Sequence, residues 1–184
     1  ERMKVVSDQS VQYALLATSM DKNVVQIQQF LSDVSATQGK DGLDDGFKNA
    51  QANFGELKAS LTKFEAYFAQ INDVASGKVI QTLKAEAEDY FNVGNTMAQA
   101  YVAGGPVAGN KLMAGFDAAS EKLQKDLAPF VQTQVAQMKT DLTRASDMTD
   151  QILTIGMVIV GVALALAALV ALLVTASITR PLAR

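Results

Sequence analysis

Apolar residues recur along the chain in four runs whose steps alternate between three and four. Met20, Val24, Ile27, Leu31 and Val34 form the first run. Phe47, Ala50, Phe54, Leu57, Leu61, Phe64, Phe68 and Ile71 form the second. Ile80, Leu83, Ala87, Tyr90, Gly94, Met97 and Tyr101 make the third, and Leu127, Val131, Val135, Met138, Leu142 and Ala145 the fourth. A half-buried strand would alternate every second residue, whereas this spacing places each run on one stripe of an α-helix. No stripe can be buried by its own helix. Packed together, the four predict an all-α fold, an antiparallel up-down-up-down four-helix bundle with long first and last helices.

Helix breakers separate the runs. Thr37–Phe47 (TQGKDGLDDGF) holds three glycines, with Gly39 placed to end the first helix and Asp44 or Asp45 to cap the second. Val74–Lys78 (VASGK) reads as a tight turn, and Ala103–Asn110 (AGGPVAGN) as the third break, with Asn110 capping the fourth helix. Pro129 lies inside that helix and predicts a kink or local break. The spacing of breakers gives helices of roughly 38, 30, 26 and 40 residues, the last counted to the apolar tail. In such a bundle the two glycine-rich loops share the far end, and the outer helices run on past VASGK as a two-helix stalk.

The end of the chain changes the picture. Gln151–Thr179 contains 29 residues without a charge. A bilayer core needs about 20 apolar residues of helix, so the stretch up to Ala176 predicts a membrane span continuous with the fourth helix. Asp147 and Asp150 precede it, and Arg180 and Arg184 follow it. Basic residues favour the cytoplasmic side, which puts residues 1–150 outside, residues 151–176 in the membrane and residues 177–184 within the cell. Ala163, Ala167 and Ala171 repeat every four residues, a spacing common either to close helix packing or to a simply Ala-rich span. Because Glu1 falls in mid-pattern, an upstream first membrane helix is expected.

Composition narrows the chemistry. The chain has 16 Lys and Arg against 19 Asp and Glu; with Arg180 and Arg184 set aside, residues 1–150 carry 14 basic and 19 acidic groups, a net of −5. Clustered cations for phosphate neutralisation are missing, so no nucleic-acid partner is expected. There is no Cys and no His, which removes disulfides, thiolate and Ser-His-Asp chemistry, common zinc sites and covalent haem. Asp41, Asp44 and Asp45 resemble a cation loop, but Leu43 stands where a calcium loop needs an oxygen, and capping explains them better. GGPVAGNK (Gly104–Lys111) fails as a phosphate loop because Asn110 interrupts it and no strand precedes it. Phe47, Phe54, Phe64 and Phe68 read as core. No metal, no cofactor and no enzymatic activity are expected.

The segment SITRPLAR (Ser177–Arg184), directly after the apolar stretch, resembles the start of a HAMP linker, with Pro181 at that family's proline. Val24–Phe47 resembles the end of the first periplasmic helix in bacterial methyl-accepting chemotaxis proteins. The resemblance implies a homodimer in the bacterial inner membrane. A small-molecule ligand binds the periplasmic bundle, and one helix shifts slightly. Arg180 and Pro181 pass that shift to cytoplasmic signalling proteins through downstream domains. The same module also serves histidine kinases and cyclic-dinucleotide enzymes, and a tethered bundle that senses nothing has the same pattern. Amino-acid receptors of this type hold ligand carboxylates with arginines, yet residues 1–150 offer only Arg2 and Arg144. The far end of the first helix supplies the polar groups Gln26, Gln29, Asp33, Ser35 and Thr37, of which Gln26, Gln29, Asp33 and Thr37 are the candidate ligand contacts; a solvated helix face is their other reading.

Overall fold

A computed structural model describes residues 2–40 and 45–182 of the chain, with side chains described for 8–40 and 45–168. These residues form three helices, α1 (Arg2–Thr37), α2 (Asp45–Gln70) and α3 (Val74–Leu182), and no strand. The fold is all-α. The 109 residues of α3 contain one non-helical position, Gly105, with φ 64° and ψ −162°. That region is essentially closed to residues with a Cβ. Pro106 then restarts the helix at the position where a missing N–H has no consequence. The helix thus has two limbs, 74–104 and 106–182, and within residues 8–138 they lie side by side after the reversal. Tyr90 stacks on Phe116 at 5.3 Å, the Tyr101 hydroxyl bonds Asn110, and Lys122 pairs with Glu86.

The expected third break is therefore one residue wide, and Asn110 is a helix-interior acceptor rather than a cap. VASGK is likewise not a turn. The chain turns at Ile71–Asp73, where Asn72 takes φ 57°, and Val74 opens α3. Asp73 caps that start: its Oδ1 accepts from the Ser76 N–H at 3.0 Å and its Oδ2 from the Ser76 hydroxyl at 2.7 Å. These bonds hold the Asp73 carboxyl below the ordinary carboxylate range. Ile71, counted with the second run, stands exposed beyond the end of α2. The backbone stays helical through Pro129, because losing one N–H bond does not outweigh the packing of buried Leu127 and Phe130 on either side. Asp41 and Asp44 lie outside the described residues.

The chain divides into two compact units, residues 8–138 and residues 1–7 with 139–184. The core sits in the first. Every member of the first run is buried, as are Ala50 to Phe68 of the second and Ile80 to Tyr101 of the third. The fourth run fares differently. Val131, Val135 and Met138 are only partly buried and Leu142 is exposed, while the covered stripe is Phe116, Ser120, Leu123, Leu127 and Phe130. Aromatic rings bind the layers. Tyr13 meets Phe64 at 5.1 Å, Phe64 meets Phe130 edge-on at 4.8 Å, and Phe54 stacks on Phe91 at 4.2 Å. Outside the core, Lys58–Glu88 and Lys84–Glu65 link α2 to the first limb, but such exposed pairs contribute only about 0–1 kcal/mol each.

Close approach needs Gly94. A Cβ there would lie 2.7 Å from Leu31 Cδ1 and 2.8 Å from Phe116 Cδ2, so α1 and the second limb both press on this point of the first. In contrast, Gly55 faces open space. Gly105→Ala is expected to lower stability by about 1–3 kcal/mol through backbone strain. Gly55→Ala should raise it by about 0.5–1 kcal/mol, as for any exposed helix-interior glycine. Paired thermal denaturation of the two variants checks both signs.

Candidate functional site

The four expected ligand contacts lie along α1, Gln29 and Asp33 exposed and Gln26 and Thr37 half-buried, and bond to one another or to their own backbone. The Gln26 amide donates to Gln29 Oε1 at 3.1 Å, the Thr37 hydroxyl donates to the Asp33 carbonyl at 2.9 Å, and the Gly39 N–H donates to Thr37 Oγ1 at 3.3 Å. None of them lines any of the cavities described below. Arg180 and Pro181 fall within the helical backbone of α3, and their side chains lie outside those described. Arg2 is likewise outside the described side chains, and Arg144 lies 3.8 Å from Asp141 one turn away.

Polar groups from two elements converge elsewhere, between α1 and the second limb of α3. A cleft of about 500 Å³ is lined by Asp21, Gln28, Asp117, Ser120, Gln124 and Lys125, among others. Its floor is a small network. The Gln124 amide donates to Ser120 Oγ at 2.9 Å, and Gln28 Oε1 accepts from Ser120 at 3.3 Å and from Gln124 at 3.5 Å. The last two bonds are long and weak, so Gln28 remains open to a better donor. Beneath them Tyr90 is fully buried and donates to the Val24 carbonyl at 2.9 Å, and burial pushes its phenol well above the ordinary tyrosine range. The phenol is a fixed neutral strut between the first limb and α1.

Two grooves run between the limbs of α3. One, of about 380 Å³, is mainly apolar and lined by Val79, Leu83, Pro129 and Phe130, with Asp126 on its wall. The other, of about 320 Å³, includes Asn92, Val93 and Lys111. Beside the first groove stands Glu86, only 8 % exposed. Its Oε1 accepts from Lys122, while its Oε2 is buried without a hydrogen-bond partner. Burial pushes the Glu86 carboxyl above the ordinary glutamate range; the Lys122 bond opposes that, and the Asp126 charge adds to it. Lys122, held by Glu86, is raised in turn. Among the described residues no group of three or more acidic side chains is arranged to hold a metal ion.

Periodicity overlooked this chemistry because the residues sit in or beside the seams. Ser120 occupies a core position of the stripe from Phe116 to Phe130, and Glu86 stands between Leu83 and Tyr90. A polar residue at a seam position was the available signal. Beyond the first unit, α3 carries a segment long and apolar enough to cross a membrane, none of it buried, with Ile152, Leu153, Ile155, Met157 and Val158 all exposed. No protein-family model, no curated protein and no solved structure matches the chain.

Bond length separates the roles of the floor residues. Tyr90→Phe is expected to lower stability by about 1 kcal/mol, the usual net contribution of a well-made buried hydrogen bond. Gln28→Ala, which removes only long, partly solvated bonds, should change it by less than about 0.5 kcal/mol. Urea denaturation of both variants tests the ranking; equal losses would reverse it.

Proposed function

We propose that the chain is the external sensing region, membrane helix and first linker residues of a transmembrane signalling receptor of the methyl-accepting chemotaxis type. On this reading residues 8–138 form an up-down-up-down four-helix bundle, with the two limbs of α3 as its third and fourth helices. Residues 1–150 face the periplasm, residues 151–176 cross the bacterial inner membrane, and Arg180 and Pro181 begin a cytoplasmic HAMP linker. Two copies pair as a homodimer.

One observation carries the reading. After Gly105, α3 has no backbone break up to Leu182, so the helix that supplies Phe116, Leu123 and Leu127 to the core is the helix that holds the charge-free segment. Exposed apolar side chains such as Ile152, Met157 and Val160 are unfavourable in water by about 25 cal/mol per Å², and lipid removes that cost. A continuous helix is stiff along its axis. A ligand that binds one position of the helix better than another therefore biases the far end, by no more than its differential affinity for the two. The cleft between α1 and the second limb suits a small polar ligand, because groups on two helices line it.

The lack of cysteine makes the topology directly testable. Lys63→Cys and Ala183→Cys variants of the full chain, expressed in intact cells, should react differently with a membrane-impermeant maleimide. Position 63 should label at once, and position 183 only after the inner membrane is permeabilised. Labelling of both positions in intact cells would sink the membrane-crossing assignment. With the chain in lipid nanodiscs, a metabolite library should contain a compound that raises the melting temperature in proportion to its concentration.

A further inference from the structure

We propose that Glu86 and Asp126 form a proton-binding site between the two limbs of α3, which makes external acidity a stimulus this unit reads. The inference rests on the sensor reading for its purpose, but not for its geometry. Glu86 belongs to the first limb, and Lys122 and Asp126 to the second. Glu86 Oε2 is buried with no hydrogen-bond partner, while Oε1 takes Lys122. Lys122 and Asp126 on one limb thus face Glu86 across a helix–helix seam, and one Glu86 oxygen is left both buried and unbonded. Such an oxygen is costly when ionised and gains a function when protonated.

The balance is simple. With both carboxylates ionised the group carries two negative charges and the one positive charge of Lys122. A single proton taken from solvent removes the net charge and gives Oε2 an O–H with Asp126 as the nearby acceptor. Half-buried Asp126 lines the groove of about 380 Å³, which gives solvent a route to the site. The charges around it are accounted for element by element. From the second limb come Lys122 and Asp126, and Asp89 on the first limb acts on Lys122. The nearest ion pairs with α2, Lys58–Glu88 and Lys84–Glu65, are closed on themselves. From α1, Asp21 faces the other cleft.

The direction follows from linkage. A carboxyl whose proton affinity is raised by folding stabilises the fold fully below the ordinary glutamate pKa, and the contribution is lost as pH rises through the elevated value. Protonation should draw the limbs together. Lys122 and Asp126 are carried by the same helix that continues to Leu182, so the shift acts on the element assigned to signalling.

The test uses the full chain in nanodiscs, with protons as the only ligand. As pH falls from above the elevated Glu86 value towards the ordinary glutamate pKa, the melting temperature should rise. Glu86→Gln, which mimics the protonated form, should keep the acid-side stability and lose most of that slope. Asp126→Asn should fold and shift the midpoint downward, because it removes the charge that holds the proton. Spin labels at Gln81→Cys and Gln132→Cys, exposed positions on the two limbs, should report a shorter and narrower distance at acid pH, and that narrow distance at every pH in the Glu86→Gln background. An unchanged slope in Glu86→Gln, or a distance indifferent to pH in the parent chain, overturns the proposal. Loss of the pH response with intact membrane topology removes the proton site alone. A retained response in a chain that fails the topology test removes the receptor reading alone.

Discussion

The reversal at Gly105 is the constraint on which the rest depends. A helix of 109 residues cannot bury two faces of itself unless it folds back, and here one residue does so. Its dihedral angles are open to glycine and closed to side chains, and Pro106 reopens the helix with no loop between. Because the return is this tight, the register of the two limbs is set at the turn. Tyr101 meets Asn110, Tyr90 meets Phe116, and Glu86 meets Lys122 as successive consequences of one backbone geometry. The end of α1 lies against the same corner, with a Cβ at Gly39 3.7 Å from Val102 Cγ2 and one at Gly105 3.7 Å from Gln38 Nε2.

Polar groups interrupt the core at a few places, and their environments differ in kind. Tyr90 is satisfied by a short bond to the Val24 carbonyl and acts as a strut. Ser120 and Gln124 satisfy each other and leave Gln28 with two long contacts. Asn23 Nδ2 and Glu86 Oε2 are buried with no partner at all. A neutral amide in that state costs about 1–3 kcal/mol, and it disfavours neighbouring registers that would bury it no better. A carboxylate differs because it can change its charge. Burial without a partner therefore makes Glu86 a group whose state depends on pH, whereas Asn23 can only be a fixed cost.

The apolar segment after residue 150 stands apart from these features. Side chains from Ile152 to Leu166 are exposed along α3, and nothing in a watery environment would hold them so. In a bilayer the same exposure is favourable. Within residues 8–138 the helix contributes Phe116 and Leu127 to a protein core, and its later residues are apolar enough for lipid. The polar cleft and the Glu86–Lys122 pair are both built against this helix.

Much of the fold was legible from spacing. The runs from Met20 to Val34, Ala50 to Phe68 and Ile80 to Tyr101 are buried as their 3-4 steps predict, since a stripe of that period has no other way to leave water. The turns were less legible. VASGK looked like a loop because its glycine and small residues carry no periodicity, yet Asp73 caps a helix through Ser76 and the actual turn is Ile71–Asp73. In the second limb the apolar run from Leu127 to Ala145 pointed too far along the chain, because Ser120 masked the stripe that begins at Phe116. The polar clefts were less legible for a related reason. Gln26, Gln29, Asp33 and Thr37 follow one another along α1 and can be picked out from that helix alone, whereas Gln28 and Ser120, or Glu86 and Lys122, come together only across a seam. By itself the sequence determined that the chain is helical, which residues of the first three runs leave water, and that its last helix carries a stretch fit for lipid, since all three follow from local spacing and composition. Only the tertiary structure decided which polar groups meet across the seams, because that depends on register, and register was set by the backbone of a single glycine.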